Sequence, residues 1–104
     1  LEGVIFAVIF IEDVDQKIVK ISLRSKGSFS VNEFARKHFD GGGHDNAAGG
    51  KSLISLEATI SKFLNVLPKY QNKLINSYEE YYFSLFFNSF YVFLWKPNST
   101  KTCY

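Results

Sequence analysis

Apolar positions change period along this chain, and each period predicts an element. Residues 4–11, VIFAVIFI, are apolar without a break and rich in β-branched and aromatic side chains, the pattern of a strand covered on both faces. Polar residues Glu12 to Gln16 predict a turn. Beyond it Val19, Ile21 and Leu23 alternate with Lys20, Ser22 and Arg24, the period of a half-buried strand. The two strands are expected to pair as a hairpin. Lys20, Ser22 and Arg24 then share its polar face, with Arg24 at the strand's exit.

Ser30-Val31-Asn32-Glu33 has the form of a capping box, so a helix is expected from Val31. Val31, Phe34, Ala35 and His38 recur at helical spacing and form its inner face, while Arg36 and Lys37 fall on the wetter side. His38 reads as a packed or partly exposed side chain, and the glycines at 41–43 are expected to end the helix. Residues 47–54 carry a short strand signal. Ser55 caps a second helix whose apolar stripe is Leu56, Ile60, Phe63, Leu64 and Leu67, with Pro68 near its end. Strand, helix and strand make a βαβ unit, for which a right-handed connection is the rule. The expected class is α/β (α+β): a small mixed β-sheet with a β-hairpin, a βαβ unit and helices packed on it.

These elements account for residues 1–70. From Tyr78 onward the composition shifts, with 9 of the 18 aromatic residues between Tyr81 and Trp95 and no glycine or proline among them. Residues 71–104 are therefore set apart as a C-terminal extension or tail, expected to form an extra helix or an appended segment. A homodimer or membrane-surface contact is the functional alternative for so apolar a stretch.

A length of 104 residues fits one domain, and 46% hydrophobic against 21% charged residues excludes whole-chain disorder. Lys and Arg outnumber Asp and Glu by 12 to 10, too even a balance for a protein that coats duplex nucleic acid through bulk charge. A single cysteine, Cys103, excludes a disulfide framework or Cys-based zinc site within the chain, and a cytoplasmic location is the expectation. Apolar residues 1–11 lack a basic leader and read as a strand, and the run from Tyr81 to Trp95 is short for a bilayer crossing, so no membrane role is expected. The chain contains no methionine, which predicts a piece of a longer protein.

Chemistry concentrates in Asp40-Gly41-Gly42-Gly43-His44-Asp45-Asn46-Ala47-Ala48-Gly49-Gly50, which holds five of the seven glycines. Glycine permits close approach of backbone to a ligand, and successive amides in such turns can converge on an anion. Ordinary tight turns use the same glycines. His44 narrows the choice, because an imidazole beside such a loop can donate to a phosphate or stack on a base in either charge state. Asp40, His44 and Asp45 lack the spacing of a known metal site, so no metal is assigned here. Arg24, followed by Ser25-Lys26-Gly27, offers the planar fork needed for bidentate phosphate recognition.

Residues 20–50, KISLRSKGSFSVNEFARKHFDGGGHDNAAGG, closely resemble the DHH-associated C-terminal domain of DHH-type phosphoesterases. The nearest branch is that of oligoribonucleases and 3'-phosphoadenosine-5'-phosphate phosphatases, with exopolyphosphatases as relatives. The resemblance covers about residues 1–70, and Leu23-Arg24-Ser25 with the GGGH-x-x-AAGG block at 41–50 are its most specific parts. It implies a substrate-binding domain whose Arg24, Ser25 and Gly41, Gly42, Gly43 and His44 contact phosphate or a terminal nucleotide. No catalytic residue and no cofactor is implied within the chain. Two divalent metals, usually manganese, would belong to an N-terminal DHH domain of the same protein, which would be its partner. The implied substrate is short RNA or a phosphonucleotide. An exopolyphosphatase domain, or an RNA-binding appendage like that of alanyl-tRNA synthetases, remains the alternative.

Overall fold

The computed structural model describes residues 5–70, 80–87 and 90–97. Residues 1–4, 71–79, 88–89 and 98–104, with Val4 and Cys103 among them, lie outside the described residues. Six strands form one sheet: β1 (Ile5–Asp13), β2 (Ile18–Lys26), β3 (Gly42–His44), β4 (Ala47–Ser52), β5 (Glu80–Phe87) and β6 (Phe90–Pro97), in the order β3-β4-β2-β1-β6-β5. Two helices, α1 (Val31–His38) and α2 (Leu56–Val66), and a 3-10 turn at Leu67–Tyr70 complete the described chain.

The α+β class and the β1–β2 hairpin match the sequence reading. The strand directions amend it, because all five pairings between neighbours are antiparallel. The βαβ unit is split: β2, α1 and β3 run in the expected sense, but β4 folds back from β3 and inserts between it and β2. Gly42–His44 lacks any apolar alternation, so the sequence shows a loop where backbone pairing makes a strand. The segment set apart beyond residue 70 contributes β5 and β6, and β6 pairs along β1 from Phe6↔Trp95 to Ile11↔Phe90.

Both helices start where their caps predict. The Ser30 hydroxyl accepts the Glu33 amide at 3.2 Å, and the Ser55 hydroxyl accepts that of Ala58 at 3.1 Å. At the far end of α1 the left-handed residue is Asp40, with φ of 52°, rather than a glycine. The Phe39 and Gly41 amides there both donate to the Ala35 carbonyl.

Register decides what the sheet presents on each side. Phe6, Val8 and Phe10 of β1, Val19, Ile21 and Leu23 of β2, Ala48 of β4, and Tyr91 and Phe93 of β6 are buried toward the helices. There Phe63 of α2 lies 5.3 Å from Phe10 and 5.0 Å from Phe93, ring centre to ring centre, and Phe34 of α1 lies 5.5 Å from Phe6. Edge-to-face rings of this kind contribute about 0.5–1.5 kcal/mol per pair beyond the area they bury. Residues of opposite parity, including Ala7, Ile9, Ile11, Lys20, Ser22 and Arg24, fall on the helix-free face, where Ile9, Ile11, Lys20, Ser22 and Arg24 are exposed.

Candidate phosphate-binding face

Arg24 and His44 belong to one row across this open face. Arg24 of β2 stands opposite Ala47 of β4, and Ala47 stands opposite His44 of β3. On the other side of Arg24 the row continues through Ala7 to Leu94. Two strand spacings separate the Arg24 and His44 backbones, about 10 Å. The side chain between them in the row is the methyl of Ala47.

The guanidinium is anchored to backbone. Its Nη1 donates to the Leu23 carbonyl at 2.9 Å and to the Ala48 carbonyl at 3.4 Å. Five N–H donors are available to an arginine, so donors remain to face solvent from a group already oriented. His44 is exposed at the end of β3.

Local sequence explains why β3 holds this position. A Cβ on Gly41 would collide with the Gly49 carbonyl oxygen and lie 2.6 Å from the Gly50 Cα, so only glycine lets the chain pass under β4. Gly43 has φ of 157°, and a Cβ there would lie 2.7 Å from the Ala47 carbonyl oxygen. Its amide donates to the Asn32 side-chain oxygen at 2.9 Å. The Gly41 amide goes to Ala35. Two amides of the glycine run are thus spent within the fold, and Gly42 is paired with Gly49 in the β3–β4 ladder.

Ser25 is turned to a different task from Arg24. Its hydroxyl donates to the Phe29 carbonyl at 2.7 Å and accepts from the Asn46 amide group at 2.8 Å, while its backbone amide donates to the Asn46 carbonyl at 3.0 Å. Asp45, beside Asn46 at the tip of the β3–β4 hairpin, accepts from the Val31 amide through its carbonyl and from the Ser30 hydroxyl through its carboxylate. Ser25, Asn32, Asp45 and Asn46 therefore clamp the hairpin to β2 and to the start of α1, and so place His44. Sequence pattern marks Ser25 but gives Asn32, Asp45 and Asn46 no role, because their partners lie 11 to 21 residues away.

The remaining titratable cluster lies on the helical side. His38 Nε2 and the Tyr70 hydroxyl are 2.6 Å apart. Burial, then the charges of Lys37, Lys69 and Lys62, push the His38 pKa below 6.5, and burial with the nearby Glu33 carboxylate pushes Tyr70 above 10.0. Among the described residues no three of His, Cys, Asp and Glu come together as metal ligands. No helix among them is long and apolar enough to cross a membrane.

An antiparallel sheet with helices on one face, and an oriented arginine and a histidine in one row on the other, defines an α+β domain with an open, helix-free face. The chain belongs to the DHHA1 domain family, whose match spans residues 2–73. Among solved structures it is similar to an exopolyphosphatase-related protein from Bacteroides fragilis, with 40% identity and a TM-score of 0.61. That similarity covers 66% of this chain and 20% of the other, so the chain spans about a fifth of that protein's length. No curated protein matches the sequence. The two matches support an appendage domain of the DHH phosphoesterase family.

Proposed function

We propose that this chain is the substrate-gripping domain of a metal-dependent DHH phosphoesterase that hydrolyses short oligoribonucleotides or phosphonucleotides. The observation that carries the reading is the single row in which Arg24 and His44 flank Ala47 on an open face. Arg24 holds a phosphate through its outward N–H groups, and His44 orients the same phosphate or the adjoining nucleotide. The clamp at Ser25, Asn32, Asp45 and Asn46 fixes that geometry in advance, which reduces the entropy lost on binding. Two divalent metals in an N-terminal DHH domain would activate water and supply the chemistry at phosphorus. This chain's residues would contribute position alone, in the cytoplasm. A polyphosphate substrate is the second reading, favoured by the name of the Bacteroides fragilis protein.

Titration of a nucleoside monophosphate into the isotopically labelled chain tests the site. Binding is expected in the millimolar range, about 4 kcal/mol, since the opposing wall and the metals are elsewhere. Amide shifts should centre on Arg24 and residues 41–44. Arg24→Ala should weaken binding by about 1 kcal/mol, as for an exposed charged contact. Shifts confined to the α2 face, with the glycine run unmoved, would overturn the assignment.

A further inference from the structure

We infer that the helix-free face is a track for a linear phosphate chain, with a second anchor at Lys20 and Lys51 and an unobstructed floor at Gly49. The inference rests on the proposed Arg24–His44 site and extends it along the sheet. Lys20 of β2 and Lys51 of β4 stand directly opposite one another on the helix-free face. Like charges in that relation destabilise a sheet. Asp13 offsets part of this through its contact with Lys20 at 3.3 Å, but among the described residues Lys51 has no ion-pair partner. Both lysines are exposed. They lie four residues along the strands from the Arg24–Ala47 pair, about 14 Å.

Between these anchors Ser22 of β2 stands opposite Gly49 of β4, whereas Gly42 beyond it faces Asn32 and Arg36 of α1 and adds nothing to the open face. Gly49 differs from its neighbours in the glycine block. Its φ is not positive, and the nearest atom to a Cβ there would be the Ile21 carbonyl oxygen at 3.5 Å, an ordinary contact. Neither backbone conformation nor packing requires glycine at 49, although an interior strand glycine costs about 0.5–1 kcal/mol relative to alanine. A ligand lying flat against the backbone does require it. Cations at each end, with the short Ser22 and the bare backbone of Gly49 between them, suit a ligand whose negative charge is distributed along its length, and exceed what a single phosphate would use.

Three probes separate the track from the primary site: orthophosphate, inorganic tripolyphosphate and a 5'-phosphorylated triribonucleotide, each titrated into the full chain by calorimetry at several salt concentrations. The chain is expected to bind at least one of the longer ligands about tenfold more tightly than orthophosphate. Lys51→Ala should weaken that longer ligand about fivefold, reduce its salt slope by about one, and leave orthophosphate within about twofold. Gly49→Val should weaken the same ligand comparably while amide spectra and cooperative unfolding persist. If this variant does not fold, Lys51→Ala alone decides. A gain confined to tripolyphosphate identifies an inorganic chain, and one confined to the triribonucleotide identifies a nucleotide backbone. Unchanged affinity for both longer ligands in Lys51→Ala overturns the track. Arg24→Ala assigns the failure: if it weakens orthophosphate, the primary site stands and only the track falls; if it weakens none of the probes, both fall.

Discussion

Two glycines eight residues apart should respond to the same substitution with opposite signs. At Gly41 a methyl group meets the Gly49 carbonyl and the Gly50 Cα, which are backbone atoms of β4 and cannot rotate aside. Overpacking of this kind costs about 1–3 kcal/mol, and the upper end applies because relief requires β3 to separate from β4. At Gly49 the methyl meets the Ile21 carbonyl oxygen at 3.5 Å, an ordinary contact, so Gly49→Ala should gain about 0.5–1 kcal/mol by restricting the unfolded chain. Urea denaturation followed by far-ultraviolet circular dichroism reads both. With a slope of about 1.5 kcal/mol per molar, a loss of about 3 kcal/mol lowers the midpoint by about 2 M, and a gain of about 0.7 raises it by about 0.5 M. Hydrogen exchange adds a local readout, since the Gly41 amide donating to Ala35 should lose protection in Gly41→Ala. Equal midpoints for Gly41→Ala and the parent chain would refute the close approach of β3 to β4. Destabilisation by Gly49→Ala would show that the fold needs this glycine and remove the steric argument for a clear floor.

Ser25→Ala should cost about 1–2 kcal/mol, because the Phe29 carbonyl and the Asn46 amide group both lose a partner; a midpoint within error of the parent chain would show that water replaces the hydroxyl. Phe93→Ala should cost about 3–5 kcal/mol through the cavity left against Phe63 and Phe6, and a chain ending at Tyr70 should lose more, both read by thermal unfolding; an unchanged transition in either would place β6 outside the core. His38 has a lowered folded pKa, so the unfolded state takes up its proton first as pH falls. Its contribution should be complete above about 6.5 and decline as pH drops through the lower folded value, whereas His38→Gln should flatten that part of the stability profile; parallel profiles for the two proteins would refute the linkage.

Elements with a local signature are legible in the sequence. Ser30 and Ser55 announce their helices, and Val19, Ile21 and Leu23 announce the buried face of β2. β3 is hidden because its three residues, two of them glycine, show no apolar alternation and are held by backbone pairing and by the Asn32 side chain 11 residues away. In β6, Tyr91 and Phe93 face the core, yet Val92 and Leu94 between them are apolar as well, so no alternation of polarity reveals the strand. At the site, Arg24 and His44 stand out by residue type. Their common row is a property of the β2–β4 and β4–β3 registers, which depend on contacts between distant residues. The pairing of Lys20 with Lys51 has the same origin, and Gly49 is indistinguishable from its neighbours until the space around each is measured.

The central position of β1 bears on how the chain is made. Its two partners, β2 and β6, differ greatly in arrival time: β2 follows after a short turn, whereas Tyr91 pairs with Phe10 about 80 residues later. On a ribosome adding about 5–20 residues per second, one long edge of β1, with Phe6, Val8 and Phe10 beside it, stays open for several seconds after the hairpin can form. Closing so long a loop also slows folding once synthesis ends. β1 therefore waits for β6, and α2, whose Phe63 packs against Phe6 and Phe10, is the element placed to shield those phenylalanines in the interval.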